Sequence, residues 1–379
     1  MSRPKSPIGR MTELDLLRFL AAFCVLAFHY TSSDGRMWGE NAIKVFPAAA
    51  PIFRFGSMGV VLFFCISGFV ILMSAWDRSV EEFAVSRITR LFPAYWFAIA
   101  LVATVSLLTG KPDSVNLRVP EFLTNLTMVQ EGLGVPHALP VFWTLWIELR
   151  FYLLIALLIA VGGMTYKRVM AFMAGWLLLS AVLYNSGAHL VDQFFLFMWS
   201  PYFVGGMAAF LIRRFGSSLL PWLIFGFSWL LALHTRGTVW AYPGMPLDNA
   251  AQSIEAVLTT VIFGVMALVA VGALRFLRWK RLTVLGALTY PIYLIHHWCG
   301  ELVITTLGLR SNPWLGVAAS LTVALVLAYG IYRLVEVPVQ RVLRSRLKDS
   351  LRLMREASAP AEPPPQPPSQ DREPASLSR

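Results

Sequence analysis

The sequence predicts an all-α fold, a polytopic integral membrane helical bundle of about ten transmembrane helices with both termini in the cytoplasm. Composition, segment length and charge placement carry that prediction. Hydrophobic residues make up 57% of the 379-residue chain and charged residues 14%, with a mean hydropathy of +0.62. Soluble domains carry about 25% charged residues. Apolar windows of about 20 residues, the length that crosses a bilayer, recur ten times. Lys and Arg gather on one side of them, as topology signals do.

The windows fall at 14–31, 56–75, 93–109, 141–163, 169–186, 195–212, 218–234, 252–274, 284–306 and 314–334. Gly, Ser and Pro dilute the fifth and the seventh. With the N-terminus inside, the cytoplasmic segments hold 23 Lys and Arg and the opposite segments hold 7. Without the C-terminal tail the counts are still 14 and 7, so both termini are expected to face the cytoplasm. Residues 1–13 then form a cytoplasmic N-terminus, 14–340 the ten-helix membrane domain and 341–379 a cytoplasmic tail. The first apolar run is followed by TSSDG rather than by a small-residue cleavage pattern, so it is expected to persist as a membrane helix. The tail opens with the basic stretch RVLRSRLKDSLRLMR, which suits an anionic inner leaflet. Its Pro-rich remainder cannot build a core and is expected to be disordered.

The net charge of +11 sits in short clusters between apolar windows. No basic face interleaved with aromatics lies outside them, so the lipid bilayer is the expected partner and nucleic acid is not. Cys24, Cys65 and Cys299 each lie inside an apolar run, with neither a disulfide framework nor metal-ligand spacing. No metal is expected. No Gly-rich phosphate loop, HExxH or GxSxG occurs, so the common soluble catalytic signatures are missing. No internal repeat of the kind that builds inverted-repeat transporters is visible.

Ionisable residues inside membrane windows are functional hypotheses by default. The first window, RFLAAFCVLAFHY, opens on Arg18 and closes near His29. Eleven residues at 100° each end about 20° past three turns, so the two share a helix face, roughly 16 Å apart along the axis. Asp15, one turn before Arg18, is a natural partner for it. The alternative is an interfacial histidine and a snorkelling arginine. The fourth window, FWTLWIELRFYLLIALL, carries Glu148 at a depth close to that of His29, where a carboxylate would orient an imidazole and raise its basicity. The alternative is a Glu148–Arg pair that joins helices. Arg150, two residues on, faces elsewhere.

The second loop contains SRITRLFPAYW. Arg87 and Arg90 are i and i+3, a spacing that suits a phosphate gripped by two guanidinium forks or a pair of cytoplasmic topology markers. The ninth window, LGALTYPIYLIHHWCG, places His296 and His297 about 100° apart, so at most one is expected to face a shared cavity. Tyr290 and Tyr293 are one turn apart, as hydrogen-bond donors to a ligand or as packing residues.

Several of these segments together resemble the integral-membrane acyltransferases of acyltransferase family 3, over residues 13 to 340. LDLLRFLAAFCVLAFHY is similar to the family's Arg-x10-His opening, GSMGVVLFFCISGFVI to its second-helix signature with Ser67 and Gly68, and SRITRLFPAYW to its Arg-x-x-Arg motif. FWTLWIELRFYLL resembles the segment that carries the family's acidic residue, here Glu148. YPIYLIHHW and VEVPV, with Glu336 and Pro338, resemble its closing signatures. The chain departs at Val61, where the family often has Asp. No fused extracytoplasmic hydrolase-like domain follows, so a pathway that needs one is expected to draw on another protein.

The resemblance implies a multi-pass enzyme of the bacterial inner membrane. It would transfer an acyl group, most often acetyl from acetyl-CoA as co-substrate, to a hydroxyl of a surface or exported carbohydrate, free or lipid-linked. Exopolysaccharide and lipopolysaccharide units are examples. His29 and Glu148 are the implied catalytic pair, with His29 as general base or transiently acylated nucleophile and Glu148 holding its tautomer. Arg18, Arg87 and Arg90 are the implied acyl-CoA contacts. Asp15, Ser67, Tyr290 and His296 are secondary candidates. Two other readings stand beside this one: the same chemistry on a small macrolide-like acceptor, or a proton-coupled transporter.

Overall fold

In a computed structural model the described residues are 9, 11–33, 35–110, 117–235, 245–279 and 281–357. The Pro-rich tail and most of the expected N-terminal segment lie outside them. Each of the ten windows falls on a helix: α1 (Thr12–Thr31), α2 (Gly59–Ala75), α3 (Val80–Thr109), α4 (Trp143–Ala160), α5 (Tyr166–Leu183), α6 (Ser200–Phe215), α7 (Leu219–His234), α8 (Asn249–Val271), α9 (Leu282–Thr306) and α10 (Pro313–Gly330). Among the described residues eight segments are long and apolar enough to cross a membrane. The seventh and ninth windows differ from these. α7 has only 16 residues, and α9, with 25 residues, carries two adjacent histidines and Glu301 that lower its hydropathy. The chain is an all-α polytopic membrane protein.

The expected basic loop before the third span is instead the first half of α3. Ser79 accepts from the Glu82 amide at 3.3 Å, and Glu82 accepts from the Ser79 amide at 3.4 Å, a capping box that starts the helix early. Gly110 ends it in the left-handed region at φ 65°. Thirty residues reach roughly 45 Å, longer than a bilayer core, so α3 carries Arg87 and Arg90 on a rigid rod.

The most enclosed element is α6, where every residue from Ser200 to Arg213 is buried. It crosses α2 where neither helix has a side chain. A Cβ on Gly68 would overlap the Phe203 backbone, and one on Gly206 would overlap the Cys65 carbonyl. In lipid, where apolar side chains gain little from burial against one another, such close backbone approach is what binds helices. α1 lies between α2 and α9. Tyr30 fixes its height: the hydroxyl donates to the His296 carbonyl at 2.8 Å, and the Tyr30 carbonyl accepts from Trp38 Nε1 at 2.8 Å.

After α10 the chain passes through a π-helical turn, Ile331–Glu336, into α11 (Val337–Ala357). α11 packs along α3, with Val342, Leu353 and Met354 exposed. Among the described residues a polar centre lies between α1, α2, α3, α4 and α9.

Candidate active site

That centre is a cavity of about 220 Å³. α1 contributes Arg18, α2 Ser67, α3 Arg87 and Arg90, α4 Glu148 and Tyr152, and α9 Tyr290 and Tyr293. Three guanidiniums thus face one carboxylate, and the chemistry such a lining favours is anion binding.

Each group has a defined support. Glu148 accepts from Ser67 Oγ at 2.9 Å. Tyr152, one turn further along α4, neighbours both Glu148 and Arg87. The Arg87 Cζ stands 5.8 Å from the ring centroids of both Tyr152 and Phe83. Its Nη2 donates to Ser86 Oγ at 3.0 Å, while its buried Nε has no hydrogen-bond partner. Arg90 is ion-paired with Glu336, which is 1% exposed and also accepts from Gln340 Nε2 at 2.9 Å. The Arg90 Cζ lies 5.8 Å from the Tyr290 ring, whose hydroxyl donates to the Leu91 carbonyl at 3.0 Å. Arg18 is attracted by Glu148 and Asp15 and repelled by Arg90. Asp15 fits only because position 286 is glycine, where a Cβ would overlap its carboxylate.

His29 lines a second, smaller recess of about 40 Å³, together with Trp143 and Trp199. The two spaces share Val60 and Tyr293 as walls. Arg18 and His29 therefore do open from one helix face into neighbouring spaces. The His29 ring lies 5.2 Å from that of His296 and 5.0 Å from that of His297, centroid to centroid. Tyr293 separates the two spaces, its hydroxyl bonded to Thr144 Oγ1 at 2.6 Å and to the Val141 carbonyl at 3.2 Å.

Three sequence expectations change here. Glu148 does not stand with His29; its side chain joins Ser67 and Tyr152 in the arginine cavity, because α4 turns that face toward α2 and α3. Arg87 and Arg90 are not an equivalent pair, since Arg90 is committed to Glu336. Both His296 and His297 approach His29, because the His29 ring reaches across to both side chains. The absence of a Glu148–Arg150 pair agrees with the helical arithmetic: Arg150 Nη1 donates to the Gln193 carbonyl at 2.8 Å and stacks 4.9 Å from Trp146.

Tyr152 and Glu336 join the site without a role expected of them. The first was detectable as i+4 to Glu148, and the second as a lone carboxylate in the apolar run IYRLVEVPV. Among the described residues no group of three or more His, Cys, Asp or Glu is placed to hold a metal ion.

Comparison with known proteins places this geometry in context. The family model described as an acyltransferase domain matches residues 11–333. The exopolysaccharide production protein ExoZ of Rhizobium meliloti is 28% identical over 316 residues, covering 78% of this chain and 92% of that protein. Nodulation protein 10 of Rhizobium leguminosarum bv. viciae is 27% identical over 372 residues, 89% of this chain and 95% of that protein. The peptidoglycan O-acetyltransferase OatA of Listeria monocytogenes is 27% identical over 160 residues, 38% of this chain and 23% of that protein. No solved structure gives a significant match.

Proposed function

Because the chain belongs to this acyltransferase-domain family and is a multi-pass membrane acyltransferase, we propose that it moves acetyl from acetyl-CoA to a hydroxyl of a surface or exported polysaccharide. The observation that carries the reading is the shared wall: a guanidinium-lined cavity and a histidine recess meet at Val60 and Tyr293. A polyanionic donor needs cations at one end of its path and a base at the other. Arg87 and Arg18 supply the first, and His29 supplies the second. The names of ExoZ and OatA support a saccharide acceptor, and the charge bias supports a donor entering from the cytoplasm of a bacterial inner membrane.

In this mechanism the cationic cavity holds the donor phosphates and lets the thioester arm extend past Val60 toward His29. Neutral His29 takes the proton of the acceptor hydroxyl as its oxygen bonds to the thioester carbonyl carbon. The C–S electron pair leaves as thiolate, and the imidazolium returns the proton to it. Glu148 acts within the donor cavity. It balances Arg18 and Arg87, and Ser67 fixes its orientation.

The test uses sealed inside-out vesicles that contain the protein and are loaded with de-O-acetylated exopolysaccharide. Added acetyl-CoA should release thiol and ester should appear inside, and His29→Ala should lower both about 100-fold or more. Undiminished turnover in folded His29→Ala, or donor use by right-side-out vesicles only, would refute the assignment.

A further inference from the structure

With Glu148 in the other cavity, no carboxylate among the described residues bonds to His29 to set its tautomer, yet a base that must accept at one nitrogen needs the other to keep its proton. We propose that His296 is the positioning residue for this reaction, its Nε2 accepting the Nδ1–H of His29 so that the lone pair of His29 Nε2 faces the acceptor hydroxyl. This rests on the reading of His29 as the base.

Three observations on α1 and α9 carry it. First, His296 Nδ1 lies 2.9 Å from the Tyr293 carbonyl oxygen and 3.2 Å from that of Ile292. A carbonyl oxygen only accepts, so this nitrogen carries the proton in neutral His296 and Nε2 is left as a bare acceptor. Second, His296 Nε2 and His29 Nδ1 are both buried without a hydrogen-bond partner. Buried polar nitrogens are seldom left so, and here an orphan acceptor and a potential orphan donor occupy neighbouring rings.

Third, those rings are 5.2 Å apart between centroids and inclined at 50°. That spacing brings facing ring nitrogens to roughly hydrogen-bond length. The alignment needs only rotation about the last side-chain torsion of His29, which has a broad energy well. The spacing itself is held from next door: Tyr30, adjacent to His29, donates its side-chain hydroxyl to the His296 carbonyl at 2.8 Å, and His296 is 1% exposed.

The other ionisable groups around this pair do not take the role. The Tyr293 hydroxyl is bonded to Thr144 and Val141. His297 meets His29 edge-on at an interplanar angle of 89° and makes contacts of its own. Cys299 lies beside Tyr30. The proton balance is simple. His29 Nδ1–H stays shared with His296 Nε2 throughout, and the substrate proton enters and leaves through His29 Nε2. His296 itself undergoes no net protonation.

The test compares His296→Gln, whose amide oxygen can accept the same proton, with His296→Phe and His296→Met, which keep bulk and lose the acceptor. Donor binding and monodispersity in detergent serve as folding controls. Phe and Met should lower kcat about 100-fold with little change in KM for acetyl-CoA, and Gln should stay within about tenfold of the parent. A merely structural role predicts the opposite ranking, with the shape-keeping Phe milder than Gln. That ranking, or full activity in folded Phe or Met protein, overturns the proposal. His29→Ala in the same assay separates the two ideas. If His29→Ala is inactive while His296→Phe is active, only the role of His296 fails; if His29→Ala is active, the base assignment fails first.

Discussion

Arg87 and Arg90 are alike in sequence and unlike in the fold. Arg90 has its counter-ion in a nearly inaccessible carboxylate, so Arg90→Ala leaves Glu336 buried and unpaired. Removing one partner of a buried pair costs about 3–5 kcal/mol; with the Arg90 side chain 35% exposed, we expect about 1–3 kcal/mol, most of it recovered in Arg90→Ala/Glu336→Gln. Arg87→Ala should instead leave the thermal midpoint unchanged and raise KM for acetyl-CoA about tenfold. Thermal unfolding in detergent and donor kinetics measure both. Equal KM effects of the two substitutions would refute the division of labour. Much at this scale was legible: the sequence pointed to Arg18, His29, Glu148 and the arginine pair, because charges in apolar helices are costly and stand out. What it could not supply was the partner of each. The 100° step relates faces within one helix, while the rotation of α4 against α2 decides whether Glu148 meets Ser67 or His29.

Helix positions were legible from hydropathy, and their true ends were less so. The charges of SRITR hid the start of α3, which a capping box fixes 13 residues before its apolar window. The π-turn at Ile331–Glu336 had no sequence signal apart from its carboxylate, although it presents Glu336 to Arg90. The crossing of α2 and α6 was not legible: Gly68 stood only within the second-helix signature, and nothing local says that it and Gly206 meet opposing backbones. Gly206→Val forces α6 away from the Cys65 carbonyl. It should cost about 3 kcal/mol or more by overpacking and displace Ser67 from Glu148, so that the thermal midpoint and kcat fall together. An unchanged midpoint for Gly206→Val would show that the helices do not depend on this approach.

On the scale of the whole molecule, the charge bias and the polar interior describe one direction of travel, with cations toward the cytoplasm and the histidine recess toward the far side. This agrees with the order of events in the proposed reaction, in which donor and acceptor arrive from opposite compartments. The same arrangement creates a hazard. A polar cavity and a histidine recess placed in series are most of a proton wire, in a membrane that stores energy as voltage, at about 2.3 kcal/mol per elementary charge per 100 mV. Val60 and the anchored Tyr293 ring are what stand between them, and an apolar constriction of this kind resists wetting. We expect Val60→Ala/Tyr293→Ala to speed the collapse of an imposed proton gradient in proteoliposomes, even without acetyl-CoA. If the doubly truncated protein holds the gradient as the parent does, the insulation lies elsewhere. In the proposed reaction Tyr293 would thus also serve as an electrical gasket, letting the thioester arm pass while the membrane stays charged.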